Sequence, residues 1–231
     1  MADYYVLGKL FERLTGLNSV KKEIKQNGYT EKLFDILEED IKKKKLAVDS
    51  PHADIRDYGF YYLAITNKIE RYIEAGRFED ALDTFERIPW EEYKNHLNYP
   101  GKSANDFNGI KYVAAGIILY LIAGNQEKAE YIYHDAEKLY TYFRKHGDLG
   151  HVNAILSETF LFYKQGDFEK AATTAGACKK DFPKMYFAMY TVLEGKLAQK
   201  LGKQIDMERQ YASARAVFSS PGVEKWINEL Q

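Results

Sequence analysis

Cysteine, proline and net charge are what this sequence has least of. Cys178 is the one cysteine in 231 residues, so no disulfide can form within the chain. A small domain stapled for secretion is not expected on that count, and the reducing cytoplasm is the expected compartment. The start, Met1-Ala2-Asp3-Tyr4-Tyr5, has neither the basic residues nor the apolar run of a secretory leader. Long apolar runs are missing as well. Residues 112–123 form the most apolar stretch, 12 residues where a bilayer span needs roughly 20, and are expected as a buried core helix. Neither sign of charge is in excess: 33 basic and 34 acidic residues leave a formal net charge of -1. No partner among nucleic acids or membranes is therefore expected. The 5 prolines leave room for long helices.

Tyrosine is abundant, at 19 residues. Helical arrays use such rings to pack helix on helix, and recognition surfaces use them as anchors. Packing is the expectation for any single one.

Three segments align without gaps: Ala75-Gly76-Arg77-Phe78-Glu79-Asp80-Ala81, Ala123-Gly124-Asn125-Gln126-Glu127-Lys128-Ala129 and Gln165-Gly166-Asp167-Phe168-Glu169-Lys170-Ala171. A looser copy starts at Leu201-Gly202-Lys203. The glycines at 76, 124, 166 and 202 are spaced by 48, 42 and 36 residues, so the helices differ in length. Each copy has one grammar. An apolar helix runs into a glycine, which takes the turn that ends it. An acidic or amide residue opens the next helix. An alanine five residues after the glycine lets the two helices approach, and Phe85, Tyr133 or Ala175 four residues later fills the groove.

The stretch Tyr163-Lys164-Gln165-Gly166-Asp167-Phe168-Glu169-Lys170-Ala171 resembles the turn of a tetratricopeptide repeat. Pro183 stands where that motif has its terminal proline, and Pro89 one position early. The resemblance covers roughly residues 58–218 and weakens in the fourth copy, where Met207 replaces the alanine. It implies an all-α chain, an irregular TPR-like α-solenoid of antiparallel helix pairs. A helical cap is expected over residues 1–50, about four repeats over 51–218 and a capping helix over 219–231.

Leu33, Phe34, Ile36, Leu37 and Ile41 recur at helical spacing after the possible cap Thr30, so short helices are expected there. A long first-repeat helix is expected over 52–74. Residues 88–103, with Pro89, Pro100 and Gly101, predict a long loop with one helical turn. At the end, Val223, Trp226, Ile227 and Leu230 share one helical face.

Little in the sequence carries chemistry. Pro100-Gly101-Lys102-Ser103 has the tail of a phosphate loop, but His96 stands where that motif needs glycine, and no strand precedes it. The histidines, His52, His96, His134, His146 and His151, have no ligand spacing, and the turn pair His146 and His151 with Asp148 has nothing to complete a set. Cys178 falls on the small-residue stripe of Ala171 and Ala175 and is expected as a buried thiol. Lys42-Lys43-Lys44-Lys45 is expected as a solvated helix end. No catalytic residue, cofactor or metal is expected.

The resemblance implies binding of another protein or peptide on the concave face, lined by the first helix of each repeat. Aligned on the glycines, its exposed positions include Thr66, Glu70, Lys111, Ala114, Asn153 and Leu156. The lysine and asparagine clamp that some members use for C-terminal carboxylates is absent, which disfavours capture of a chaperone tail. The irregular loop adds His96, Asn98, Tyr99, Asn105 and Asp106, and leads into Tyr112. An immunity-type protein that neutralises a toxic enzyme is the second expectation, by analogy of form.

Overall fold

The computed structural model describes residues 17–95, 105–146, 151–178 and 184–231. Among them every regular element is an α-helix and no strand occurs. The chain divides into two compact units, Met1–Arg71 and Tyr72–Gln231. The division falls inside a helix.

The first unit contains α1 (Leu17–Asn27), α2 (Glu31–Val48) and α3 (Ile55–Glu74) as far as Arg71. Thr30 takes the extended conformation of an N-cap, although its side chain makes no capping bond. Leu33, Phe34, Leu37 and Ile41 are buried on one stripe of α2, as their spacing demands. The helix runs 18 residues, longer than the short pieces expected. Its lysine run is a solvated surface: Lys42 pairs with Glu39, Lys44 with Asp40 and Lys45 with Asp49. The buried ammonium of Lys68 on α3 pairs with Glu38.

In the second unit the last turn of α3 leads to α4 (Phe78–Phe85) and the short α5 (Trp90–Asn95). Then follow α6 (Asn105–Ile122), α7 (Gln126–Asp135), α8 (Glu137–His146), α9 (His151–Gln165) and α10 (Phe168–Gly176). The unit ends with α11 (Lys184–Lys200), α12 (Met207–Val217) and α13 (Pro221–Glu229). Helix α9 packs against α6, α7, α8, α10 and α11, while α11 also meets α10, α12 and α13. The long helices α6, α9 and α11 are thus the inner elements, and the short helices pack on them.

One turn recurs four times. Gly76, Gly124, Gly166 and Gly202 have φ of 74°, 75°, 79° and 76°, a region costly for any residue with a Cβ. Each glycine N–H bonds a carbonyl three residues back, and the next N–H bonds one five back, as in Arg77 to Tyr72 at 2.9 Å. That pair of bonds is the Schellman closure of a helix. Asn125, Asp167 and Asp206 then cap the following helix by accepting from the N–H three residues on. Ala81, Ala129 and Ala171 have no exposed surface, so a small side chain sits at each crossing.

The helix pairs are fastened by tyrosines. Tyr112 of α6 donates its hydroxyl to the Phe85 carbonyl at 2.8 Å, and Tyr190 of α11 does the same to Ala175 at 2.8 Å. These donors stand twelve residues before Gly124 and Gly202, and the acceptors nine after Gly76 and Gly166. Helix α9 has Ala154 in that register, and the extra helix α8 supplies Tyr140 instead, bonded to Ser157 at 2.7 Å.

Helix α13 is more than a lid on the last pair. Val223, Trp226 and Ile227 are buried, Trp226 lies edge-on to Phe160 of α9 at 4.7 Å, and its indole N–H donates to the Met189 carbonyl of α11 at 2.9 Å. Gly222 lies directly against the carbonyl of Ile73.

Candidate functional site: an aromatic cleft beside the second helix pair

Most positions expected on an exposed inner face are buried. Thr66, Glu70, Tyr112, Ala114, Asn153 and Leu156 are all in the interior, and Lys111 is half-buried. The expectation of exposure is corrected for the first six. Thr66 turns its hydroxyl back onto the Tyr62 carbonyl at 2.8 Å. Tyr112 is the middle ring of a stack, 4.5 Å from Phe85 and 4.1 Å from Tyr93. Asn153 and Leu156 belong to α9, which is enclosed on every side from His151 to Phe162. His96, Asn98 and Tyr99 lie outside the described residues, as do Pro100-Gly101-Lys102-Ser103, Asp148 and Pro183. Asn105 and Asp106 fall in the first turn of α6, their side chains likewise outside. Cys178 is half-buried and stands beyond the end of α10 rather than within a helix. Both ring nitrogens of His151 lie 2.9 Å from main-chain carbonyls, of Phe143 and Ala177, so the ring ties α8 to the end of α10.

Among the described residues a cleft of about 420 Å³ opens between the α4–α5 connection and helices α6 and α7. Local sequence places each wall. Phe85 and Glu86 end α4, and Pro89 lets the chain turn into α5, whose first residue is Trp90. On α7, Lys128, Tyr131, Ile132 and Asp135 recur at helical spacing and form one stripe. Tyr120 comes from the last turns of α6. The floor is apolar, from the buried Phe85, Ile88 and Ile132. Tyr131 stands on the rim with 49% of its surface exposed.

Charged groups edge this floor in pairs. Glu86 accepts from Tyr120 at 2.8 Å and from Lys128 at 3.0 Å. These donors, Lys128 foremost, hold its carboxyl below the usual carboxylate range, while burial pushes the Tyr120 hydroxyl up. Glu91 is lowered in the same way by Lys94 and then Tyr131. Trp90 donates its indole N–H to Asp135 at 2.8 Å, and Lys94 reaches the same carboxylate at 3.3 Å. Sequence reasoning singled out none of these residues. The signal available was the stripe on α7, but its partners lie about forty positions away in the chain.

A second polar cluster is closed rather than open. Glu158 of α9 is fully buried; one oxygen accepts from Tyr133 and from Arg144, the latter at 3.0 Å, and the other has no partner. Burial pushes this carboxyl up, against the opposing effects of Tyr133 and Arg144. A raised folded-state value means that the carboxyl favours the fold most below its unfolded value near 4.5, and less as pH rises through the raised value. The stability of the wild type minus that of Glu158→Gln should therefore fall between about pH 4 and neutrality, by about 1.4 kcal/mol per pH unit of displacement. Denaturant unfolding of both proteins across that range measures it; a difference independent of pH would show that Glu158 is not desolvated.

Among the described residues no group of three or more His, Cys, Asp or Glu side chains is placed to hold a metal ion. No helix among them is long and apolar enough to cross a membrane. No protein-family model, no curated protein and no solved structure matches the chain.

Proposed function

We propose that this chain is a helical-repeat protein of the tetratricopeptide type, which binds another protein or a peptide in the cytoplasm and performs no catalysis. The four Schellman turns, the alanine crossings and the row of α6, α9 and α11 support the repeat assignment. The observation that carries the binding role is the aromatic cleft. Its volume lies in the range that encloses small ligands or a few side chains, and its apolar floor is ringed by charge. Tyrosine and tryptophan are the residues that anchor interfaces, and here both stand at one opening. With Thr66, Tyr112 and Asn153 buried, the binding surface assigned is this cleft between helix pairs.

Affinity capture from a native extract, followed by Trp90→Ala and Tyr131→Ala, tests the proposal. Tyr131 is half-exposed, so its loss should leave the melting temperature nearly unchanged while weakening the captured partner by about 1–2 kcal/mol. Partners retained at full affinity by both variants would remove the cleft as the site.

A further inference from the structure

The polar tips of the rings around the cleft are turned onto carboxylates. Tyr120 donates to Glu86, Trp90 to Asp135 and Tyr131 to Glu91. With those hydrogens committed, the rings offer the cleft their faces and edges, and an aromatic face attracts a cation. Of the charged groups, Glu86 and Lys128 line the cleft and pair with each other, while Lys94 pairs with Glu91 and Asp135 beside it. Both lysines already occupy cation seats. The Lys128 ammonium lies 5.1 Å from the centre of the Tyr120 ring, and that of Lys94 5.9 Å from the centre of Tyr131. The pair Lys128–Glu86 is exposed, at 55% and 42% of the two side chains, and exposed ion pairs exchange readily.

We infer that the cleft receives an arginine side chain of the partner, its guanidinium stacked on the tyrosines and paired with Glu86 in place of Lys128. The inference rests on the binding-module reading above. The ring faces select a cation, because those of Tyr120 and Tyr131 already carry an ammonium, and the one carboxylate among the lining residues is Glu86. Arginine is selected over lysine by shape. A planar, weakly hydrated guanidinium stacks on rings and grips a carboxylate with two parallel bonds. A second ammonium would only replace the one that Lys128 already provides.

The test uses the full chain and short blocked peptides with a central arginine, citrulline or glutamate. Fluorescence of Trp90 reports occupancy; Trp226, the other tryptophan, is fully buried and gives a constant background. The arginine peptide should bind saturably, and the neutral citrulline peptide about tenfold more weakly, since a charge-assisted bond is lost. Glu86→Gln should weaken arginine binding about fivefold or more on the same ground. Lys128→Met removes the internal competitor and should tighten it about threefold or more. Absence of arginine binding to both wild type and Lys128→Met overturns the inference, as does equal binding of citrulline. Weakening by Lys128→Met overturns it too, because Lys128 would then be a ligand group and not a competitor. Saturable binding of the glutamate peptide alone would overturn the arginine assignment while leaving the cleft a peptide site.

Discussion

Trp226→Ala is expected to destabilise the protein by about 3–5 kcal/mol, which lowers the melting temperature by roughly 10 °C in a domain of this size. Trp226 is the largest side chain with no exposed surface. Its ring fills the space between α9 and α11, edge-on to Phe160 at 4.7 Å. Truncation leaves a cavity that two rigid helices cannot close. It also removes the indole N–H that Trp226 donates to the Met189 carbonyl at 2.9 Å, a bond made in addition to the ladder of α11. Trp226→Phe keeps most of the apolar surface and should cost less, with the hydrogen bond contributing about 1 kcal/mol of the remainder. Denaturant melts of both variants decide the matter. A loss below about 1 kcal/mol for the alanine variant would mean that α13 is merely appended to the fold.

Gly222→Ala is the second large effect, and here two tendencies oppose each other. Gly222 lies in the first turn of α13, where alanine is intrinsically favoured over glycine by about 1 kcal/mol. A Cβ at this position would lie 1.8 Å from the Ile73 oxygen, 2.9 Å from its carbonyl carbon and 3.1 Å from the Glu74 Cα. All three are backbone atoms and cannot rotate aside. Overpacking of cores costs about 1–3 kcal/mol where side chains can adjust, so this contact belongs at or above the top of that range. Sterics should therefore win, and α13 should lift from the end of α3. A red shift of Trp226 emission together with a lower melting temperature is the expected result. A stabilised Gly222→Ala protein would show that helix propensity decides and that the close approach is wrong. Gly116 makes a useful contrast: its Cβ would meet the Phe85 ring at 2.3 Å, a side chain with some freedom to move.

The inner face is where reading by motif register failed, and the cause lies in α9. Asn153, Ser157, Glu158 and Thr159 give that helix the look of one with a wetted side, yet all four are fully buried. Some are satisfied locally: Ser157 bonds Tyr140 and the Asn153 carbonyl. Neither amide atom of Asn153 has a partner. A helix packed against α6, α7, α8, α10 and α11, and against the Trp226 ring of α13, has no wet side, and those neighbours are not written in the helix itself. The candidate cleft was illegible for a related reason. Tyr131 meets Glu91, and Lys128 meets Glu86, across about forty residues of chain, so no window of sequence contains both sides of the site.

By itself the sequence determined the helices, the four glycine turns, the alanine crossings and the buried face of the last helix. Each of these is local chemistry: glycine takes the positive φ that each turn needs, 79° at Gly166, and Val223, Trp226 and Ile227 share a face whatever they meet. Only the tertiary structure decided that α13 abuts Ile73, that α9 is enclosed and that a cleft opens among Trp90, Tyr120 and Tyr131. Burial and pairing are properties of neighbours brought from distant parts of the chain. They are set by how helices of unequal length pack, and unequal length is the feature in which these repeats depart from one another.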